Sequence, residues 1–395
     1  MKNSTYLSFL KLRGSWGTLG NERIGNYPYQ STISFSSGLF YKGNDIVSGL
    51  TAAQVQYAIQ NITWETTETS DIGLDAYFFN NRLMFTGDYY IKQTRDMLLP
   101  LEIPDYMGFD NPDQNTGLME TKGWDTQLTW NDKIGDFNYS ASFNVSDYKS
   151  VMGNLGGIVF LGDQITREGS EYNEWYGYQS SGLFQTQEEV ANSPVLNTSV
   201  KPGDIKYMDI SGPEGIPDGK ITADYDRVLL GGSGPRFIYG GNVQLDYKGV
   251  DLSVAFQGIG KQNNRIVNDM VEPFQTAWTN APQIIDGKYW SLYNTAEQNL
   301  NARYPRLSDT GARYNNYVMS DFWLIDGGYF RLKNITLGYT LPQKIVKSAK
   351  LKNVRIYASV SDMFSINNYP KGWDPETKST SYISKSFNFG LSVKF

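Results

Sequence analysis

The stretch Asp71-Ile-Gly-Leu-Asp-Ala-Tyr-Phe78, then Phe79-Asn-Asn-Arg82, then Leu83-Met-Phe-Thr-Gly-Asp-Tyr-Tyr-Ile-Lys92 decides the fold of this chain. Ile72, Leu74, Ala76 and Phe78 recur at every second position, the period of a β-strand and not of a helix. After Asn80-Asn81 the period returns in Leu83, Phe85, Gly87, Tyr89 and Ile91. A two-residue turn at the asparagines sets Phe78 opposite Leu83 and Ala76 opposite Phe85, so both apolar sets share one side of the sheet. Asp75, Thr86, Asp88 and Lys92 fill the other side.

Two further hairpins repeat this pattern. Trp124, Leu128 and Trp130 run to a tight connection around Asp132 to Gly135, and Phe137, Tyr139, Ala141, Phe143 and Val145 return on the matching face, opposite Asp125, Gln127, Asn138, Ser140 and Asn144. Lys248-Gly249 joins Val243, Leu245 and Tyr247 to Val250, Leu252, Val254 and Phe256, with Gln244, Asp246, Asp251 and Ser253 on the polar side. Near the end, Ile335, Leu337, Tyr339 and Leu341 pass through a short link at about Lys344 to Lys350 into Val354, Ile356, Ala358 and Val360. The last strand reads Phe387, Phe389, Leu391, Val393, Phe395.

Alternation alone fits a β-sandwich as well as a barrel. The connections separate the two. Short turns alternate with connections of roughly 25 to 80 residues, which compact soluble domains seldom carry. Counting back from Phe395, every short turn falls on one side, the asymmetry of outer-membrane barrels with their short periplasmic turns and long extracellular loops. The reading is therefore an all-β, antiparallel transmembrane β-barrel of roughly 12 to 14 strands, apolar residues facing lipid and polar ones a water-filled lumen. The chain opens inside a strand-like run, Leu10 to Trp16, and a bare sheet edge is not tolerated in hydrocarbon, so the barrel is expected to be incomplete, with further strands upstream.

Composition supports this and excludes other classes. The 395 residues are 40% hydrophobic and 14% aromatic with only 19% charged, and Tyr (28), Phe (20), Trp (9) and Gly (39) suit strands, turns and an interfacial aromatic belt. The net charge of -6, without a long basic cluster, disfavours nucleic acid. Cys and His are both absent, which removes disulfides, thiolate chemistry, the Ser-His-Asp triad and most transition-metal sites. No stretch reaches the roughly 18 apolar residues of a transmembrane helix. The start offers only the short apolar run Tyr6 to Leu10, not a secretory signal, so Met1 is not expected to be the natural beginning of the secreted polypeptide.

Several stretches resemble one family. They are Lys11-Leu-Arg-Gly-Ser-Trp-Gly-Thr-Leu-Gly-Asn21, Trp64-Glu65 with Asp71-Ile-Gly-Leu-Asp75, Asp88-Tyr-Tyr-Ile-Lys-Gln-Thr-Arg-Asp96, Gly203-Asp-Ile-Lys-Tyr207, Asp218-Gly-Lys-Ile221 with Asp226-Arg227, and Tyr329-Phe-Arg-Leu-Lys-Asn-Ile-Thr-Leu-Gly-Tyr339. In this order, from about Lys11 to Phe395, they look like the C-terminal half of the SusC/RagA family of TonB-dependent outer-membrane transporters of Bacteroidetes. The resemblance implies a complete barrel of about 22 strands, a plug domain, a SusD-like surface lipoprotein as cap, energy from the TonB complex, and glycan or peptide cargo. It also implies that residues 1–395 are the C-terminal barrel part, with the plug, the TonB-contacting segment and the early strands absent. On that footing the chain alone would not carry out energised uptake.

Asp209, Ser211, Asp218, Asp224 and Asp226 surround Gly219 in an oxygen-rich loop, the hard-ligand chemistry of Ca²⁺, at spacings that depart from the EF-hand pattern; the plain alternative is a hydrophilic extracellular loop. No other cofactor is indicated. The loop aromatics Trp175, Tyr176, Trp278, Trp290 and Tyr293 are the candidates for contact with cargo or lipoprotein, or else pack the loops themselves. Trp124, Trp130 and the Tyr89/Tyr90 pair read as interfacial belt and lipid-facing residues. Asn388, Gly390, Val393 and Phe395 have the spacing of the signal read by the barrel assembly machinery, or else anchor the last strand at the interface. Glu188-Glu189 raises a glycosidase, but no motif positions a second carboxylate. Nutrient import at the Gram-negative outer membrane leads, ahead of a soluble or surface-attached carbohydrate-binding β-protein and an all-β glycosidase; the chain does not read as an enzyme.

Overall fold

A computed structural model describes residues 6–22, 29–54, 58–59, 62–100, 106, 108–109, 112–155, 162–266, 271–274, 278–308, 313–348, 350–378, 381 and 383–395. The start at Met1 lies outside them. Its main feature is one antiparallel sheet of ten strands: β1 (Leu7–Asn21), β2 (Glu65–Phe78), β3 (Leu83–Arg95), β4 (Leu118–Ile134), β5 (Phe137–Met152), β6 (Arg236–Tyr247), β7 (Val250–Lys261), β8 (Tyr329–Thr340), β9 (Asn353–Asn367) and β10 (Ser386–Lys394). Each strand pairs with its neighbours in this order, so the sheet is a meander. The count is below the expected 12 to 14. The alternating runs Ile33–Lys42 and Asp45–Gln54 pair only with each other, as a separate hairpin in the β1–β2 connection.

The register follows the apolar pattern. Phe78 lies opposite Leu83 and Ala76 opposite Phe85. The turn there is left-handed at Asn80 (φ 58°) and Asn81 (φ 66°), the two positive φ angles a type I′ hairpin needs. Lys248 (φ 48°) and Gly249 (φ 87°) do the same between β6 and β7 and seat Tyr247 against Val250. At the β4–β5 hairpin the strand runs on to Ile134, so the turn falls at Gly135-Asp136, at the far end of the Asp132 to Gly135 stretch read from sequence. The link from β8 to β9 holds a short helix, Gln343–Ser348. These four connections share one end of the sheet, and the long ones, 22–64, 96–117, 153–235, 262–328 and 368–385, share the other.

Rows of apolar side chains cross the sheet on one face. One row runs Phe78, Leu83, Trp130, Ala141, Val243, Val254, Ile335, Val360, Phe387 through consecutive pairings. On this face Leu12 (75% exposed), Ile72 (62%) and Phe389 (85%) are left largely uncovered by the described residues. An apolar surface this wide is far larger than soluble proteins leave uncovered, and it matches a lipid-facing wall. Strands as long as the 17 residues of β4 exceed the hydrocarbon belt and carry the sheet outward beyond it. The largest cluster of buried apolar side chains is therefore not on the sheet. It lies among the long connections.

Candidate functional site

The polar face of the sheet lines the lumen. Arg13 on β1 reaches across β2 to Asp88 on β3 (2.7 Å) while pairing with Asp75 (3.0 Å). Arg355 on β9 reaches across β8 to Asp251 on β7 (2.9 Å). Near the short-turn end, Asn131, Asn138, Ser140, Gln244, Asp246 and Asp251 border a groove of about 550 Å³. Tyr90, read from sequence with the lipid-facing aromatics, belongs to this polar face, its ring lying over Gly123 of β4.

At the other end, described residues of the 153–235 and 262–328 connections fold together around an apolar core that includes Ile205, Tyr207, Ile221, Val271, Trp290 and Trp323. A buried polar hub joins the two connections. Asp204, fully buried, accepts from Lys201 N–H (2.9 Å) and Asn316 Nδ2 (2.8 Å) and pairs with Arg306 (2.7 Å). Asn316 Oδ1 accepts from Ile205 N–H (2.9 Å), and Asn316 O accepts from Trp323 Nε1 (2.6 Å). Burial pushes the Tyr207 hydroxyl well up, so it stays a donor, to Asn315 O at 2.6 Å. These buried hydrogen bonds hold the two connections rigidly to each other.

The motif Gly203-Asp-Ile-Lys-Tyr207 is the foundation of this hub. Gly203 adopts φ 88°, and an added Cβ would collide with the Trp290 ring. Trp290 is thus a core residue: it is 4% exposed and donates Nε1–H to Gln185 Oε1 (3.1 Å). Asp204, Arg306 and Asn316 were not singled out from sequence. Asp204 sat inside a quoted motif, but its partners are more than 100 positions away, and no local pattern announces them.

The other aromatic candidates divide. Trp175 is half-buried and donates to Asn263 O (2.7 Å). Tyr176 stacks under the Arg227 guanidinium, 4.4 Å from the ring centroid. Both knit the loops together. Trp278 (92% exposed) and Tyr293 (99%) stand free at the outer surface. Tyr293 rides on a turn fixed by Asn299, whose side chain bonds Ser291 N–H (3.0 Å) and Ser291 O (2.9 Å).

The five oxygen ligands proposed for Ca²⁺ are not brought together. Asp226, fully buried, spends its carboxylate on Ile210 N–H (2.8 Å), Ser211 N–H (3.2 Å) and Thr222 N–H (2.6 Å). Asp209 accepts from Gly219 N–H (2.6 Å), and Asp218 from Lys220 N–H (3.0 Å). Ser211 lends its amide to Asp226. Among the described residues no group of three or more acidic side chains has metal-site geometry. The acids close the loop on its own backbone. Glu189, for its part, opens a short helix (Gln187–Ala191) and pairs with Lys206 (2.9 Å). Burial pushes its carboxyl up, but the Gln185 N–H and Lys206 outweigh this and hold it below the usual range, the wrong direction for a general acid.

At the C-terminus, Asn388 pairs with Ser359, Gly390 with Tyr357 and Val393 with Val354, and Phe395 is 83% exposed. The Tyr357 ring covers Gly390 so closely that any Cβ there would displace it. That glycine has a packing reason of its own.

No family model matches the chain. Along its whole length it is similar to TonB-dependent receptor P3 of Formosa agariphila, 30% identical over 426 residues, covering 100% of this chain and 40% of the relative. TonB-dependent receptor SusC of Bacteroides thetaiotaomicron is 27% identical, covering 100% and 38%. The chain therefore spans about two-fifths of the length of these curated relatives. Among solved structures, the RagAB peptide transporter covers 100% of this chain and 42% of its own, at 23% identity and TM-score 0.76. The SusC/RagA resemblance read from the motifs thus holds from end to end, and the fold is that of an outer-membrane β-barrel receptor.

Proposed function

We propose that this chain forms a lipid-facing wall and the extracellular cap of a nutrient importer in the outer membrane, taking up glycans or oligopeptides with energy from TonB. The observation that carries the reading is the meander itself: apolar rows on one face, a polar lumen on the other, and every long connection at one end. A soluble carbohydrate-binding protein would have to bury that apolar face, and the described residues leave it uncovered. β1 and β10 are the terminal strands of the described sheet, and a closed barrel needs further strands between them. Its partners are a SusD-like surface lipoprotein, the TonB complex and the barrel assembly machinery. The exposed Trp278 and Tyr293 are its candidate contacts with cargo or lipoprotein, having the flat apolar faces that stack on sugars and seat in protein pockets.

Topology is testable with single cysteines, since the chain has none of its own. In intact cells an impermeant maleimide should label Tyr293→Cys and spare Lys248→Cys, with both labelled after lysis. Equal labelling of the two in intact cells would defeat the orientation. Uptake of oligosaccharides and oligopeptides should be lost in cells lacking the protein and in cells lacking TonB; uptake unchanged in either strain would defeat the transport reading.

A further inference from the structure

Where the last long connection leaves β9, it does not stay outside. Residues Tyr369 to Glu376 run from the loop core onto the lumen wall. At the outer end Tyr369 is buried, its ring 6.4 Å from Trp373, its hydroxyl bonded to Asn264, and Trp373 packs on the loop core. At the inner end Asp374 pairs with Arg331 of β8 (2.6 Å), and Glu376 takes Arg331 (3.1 Å), Lys333 (3.4 Å) and Gln257 of β7 (3.0 Å).

The wall is shaped to receive it. Register shifts set Lys333 out of step with both neighbouring strands, and on β9 the residues Asp362-Met363 stand opposite that single position, with Asp362 at φ 52°. Such bulges re-aim side chains. Here they bring Lys333 and Asp362 together (2.7 Å), beside Arg331 (3.7 Å). Arg331 is only 4% exposed at the centre of three carboxylates.

We infer that Tyr369–Glu376 is a latch, fixed to the extracellular cap by its aromatic end and held on the lumen wall by its ionic end, so that releasing Asp374 and Glu376 from Arg331 lifts it and widens the lumen mouth. This rests on the barrel reading above. The two ends differ in kind: burying Tyr369 and Trp373 is favourable in any aqueous setting, whereas a buried ion cluster gains little over its hydrated parts. Three carboxylates share two cations, so the ionic end is the one poised to exchange.

The test uses Pro375→Cys, a buried latch position, in the outer membrane of the native host, with the exposed Lys371→Cys as reference. Maleimide should modify Pro375→Cys slowly, about tenfold faster when Arg331→Met is added and about threefold faster with Glu376→Gln, because labelling follows the open population. Glu376→Gln answers alone if Arg331→Met fails to insert. Labelling of Pro375→Cys as fast as the reference, or unmoved by both substitutions in protein that keeps heat-modifiable migration, overturns the latch. Absence of heat-modifiable migration in the unsubstituted protein would instead strike at the barrel reading.

Discussion

Asp204→Ala should unfasten the extracellular cap while leaving the barrel intact. The carboxylate serves one backbone amide, the Asn316 side chain and the Arg306 guanidinium, with no solvent access of its own. Breaking a buried pair by removing one partner costs about 3 to 5 kcal/mol. Arg306 retains 22% side-chain exposure and recovers part of its hydration, which favours the lower bound of about 3 kcal/mol, on the order of a hundredfold in the open population. Asp204→Asn keeps an acceptor but loses the charge and turns an NH₂ toward donors, so it should fall between. The readout is native-state amide exchange in detergent or outer-membrane vesicles. Ile205 N–H, which bonds Asn316 Oδ1, should lose protection by about that factor, while Leu252 and Val254 in the β7 ladders should not change. Ile205 protection within about threefold of the parent, or equal losses in β7, would refute a separate cap built on this hub.

Val254→Arg, in an outward row near the middle of β7, should cost about 2 to 4 kcal/mol in folding equilibria and deplete folded protein, whereas Ser253→Arg beside it, lumen-facing, should cost about 1 kcal/mol or less; similar losses would mean the faces are misassigned. Calorimetry at millimolar Ca²⁺ should show no site-specific heat, and Asp226→Ala should speed exchange at Ile210 and Thr222 regardless of calcium; a calcium response abolished by that substitution would restore the metal site. Deleting Phe395 should sharply lower the amount folded in the outer membrane while Lys394→Ala does little, since simple interfacial anchoring would cost only a few kcal/mol at most; unchanged heat-modifiable migration of the deletion would leave anchoring as the sufficient account. Gly390→Ala should loosen the β9–β10 edge even where assembly proceeds, because it unseats Tyr357; undiminished exchange protection at Tyr357 and Gly390 would count against this.

The barrel wall was legible because its information is local. A period of two fixes which face each residue takes, and a two-residue turn fixes the register, so Phe78 met Leu83 and Tyr247 met Val250 as read. Strand number was less legible. Ile33–Lys42 carries the same alternation as a wall strand, and only its pairing with Asp45–Gln54 alone removes it from the sheet. The cap was nearly opaque. Nothing near Trp290 reveals that Gly203 lies beneath it, and nothing near Asp226 reveals that three backbone amides have already claimed its oxygens. Arg331 stood within a quoted motif, yet its importance depends on Asp374 and Glu376, delivered by a connection whose inward course no periodicity encodes.

The cap draws its core from two connections that flank the β6–β7 hairpin, and this sets an order of events. Asp204 and Asn316 are 112 positions apart in the chain, and bringing such distant residues together in a free coil is entropically unfavourable. Once β5 through β8 are zipped edge to edge, the hairpin has already closed most of that distance, and only the loops themselves remain to be ordered. The wall should therefore form first and template the cap, with the cap maturing in a slower step. Until then Ile205, Val271, Trp290 and Trp323 are exposed apolar side chains on an unfinished protein, the period in which it is most prone to aggregate. A substitution in the hub would then lengthen that interval and lower yield without touching a single strand.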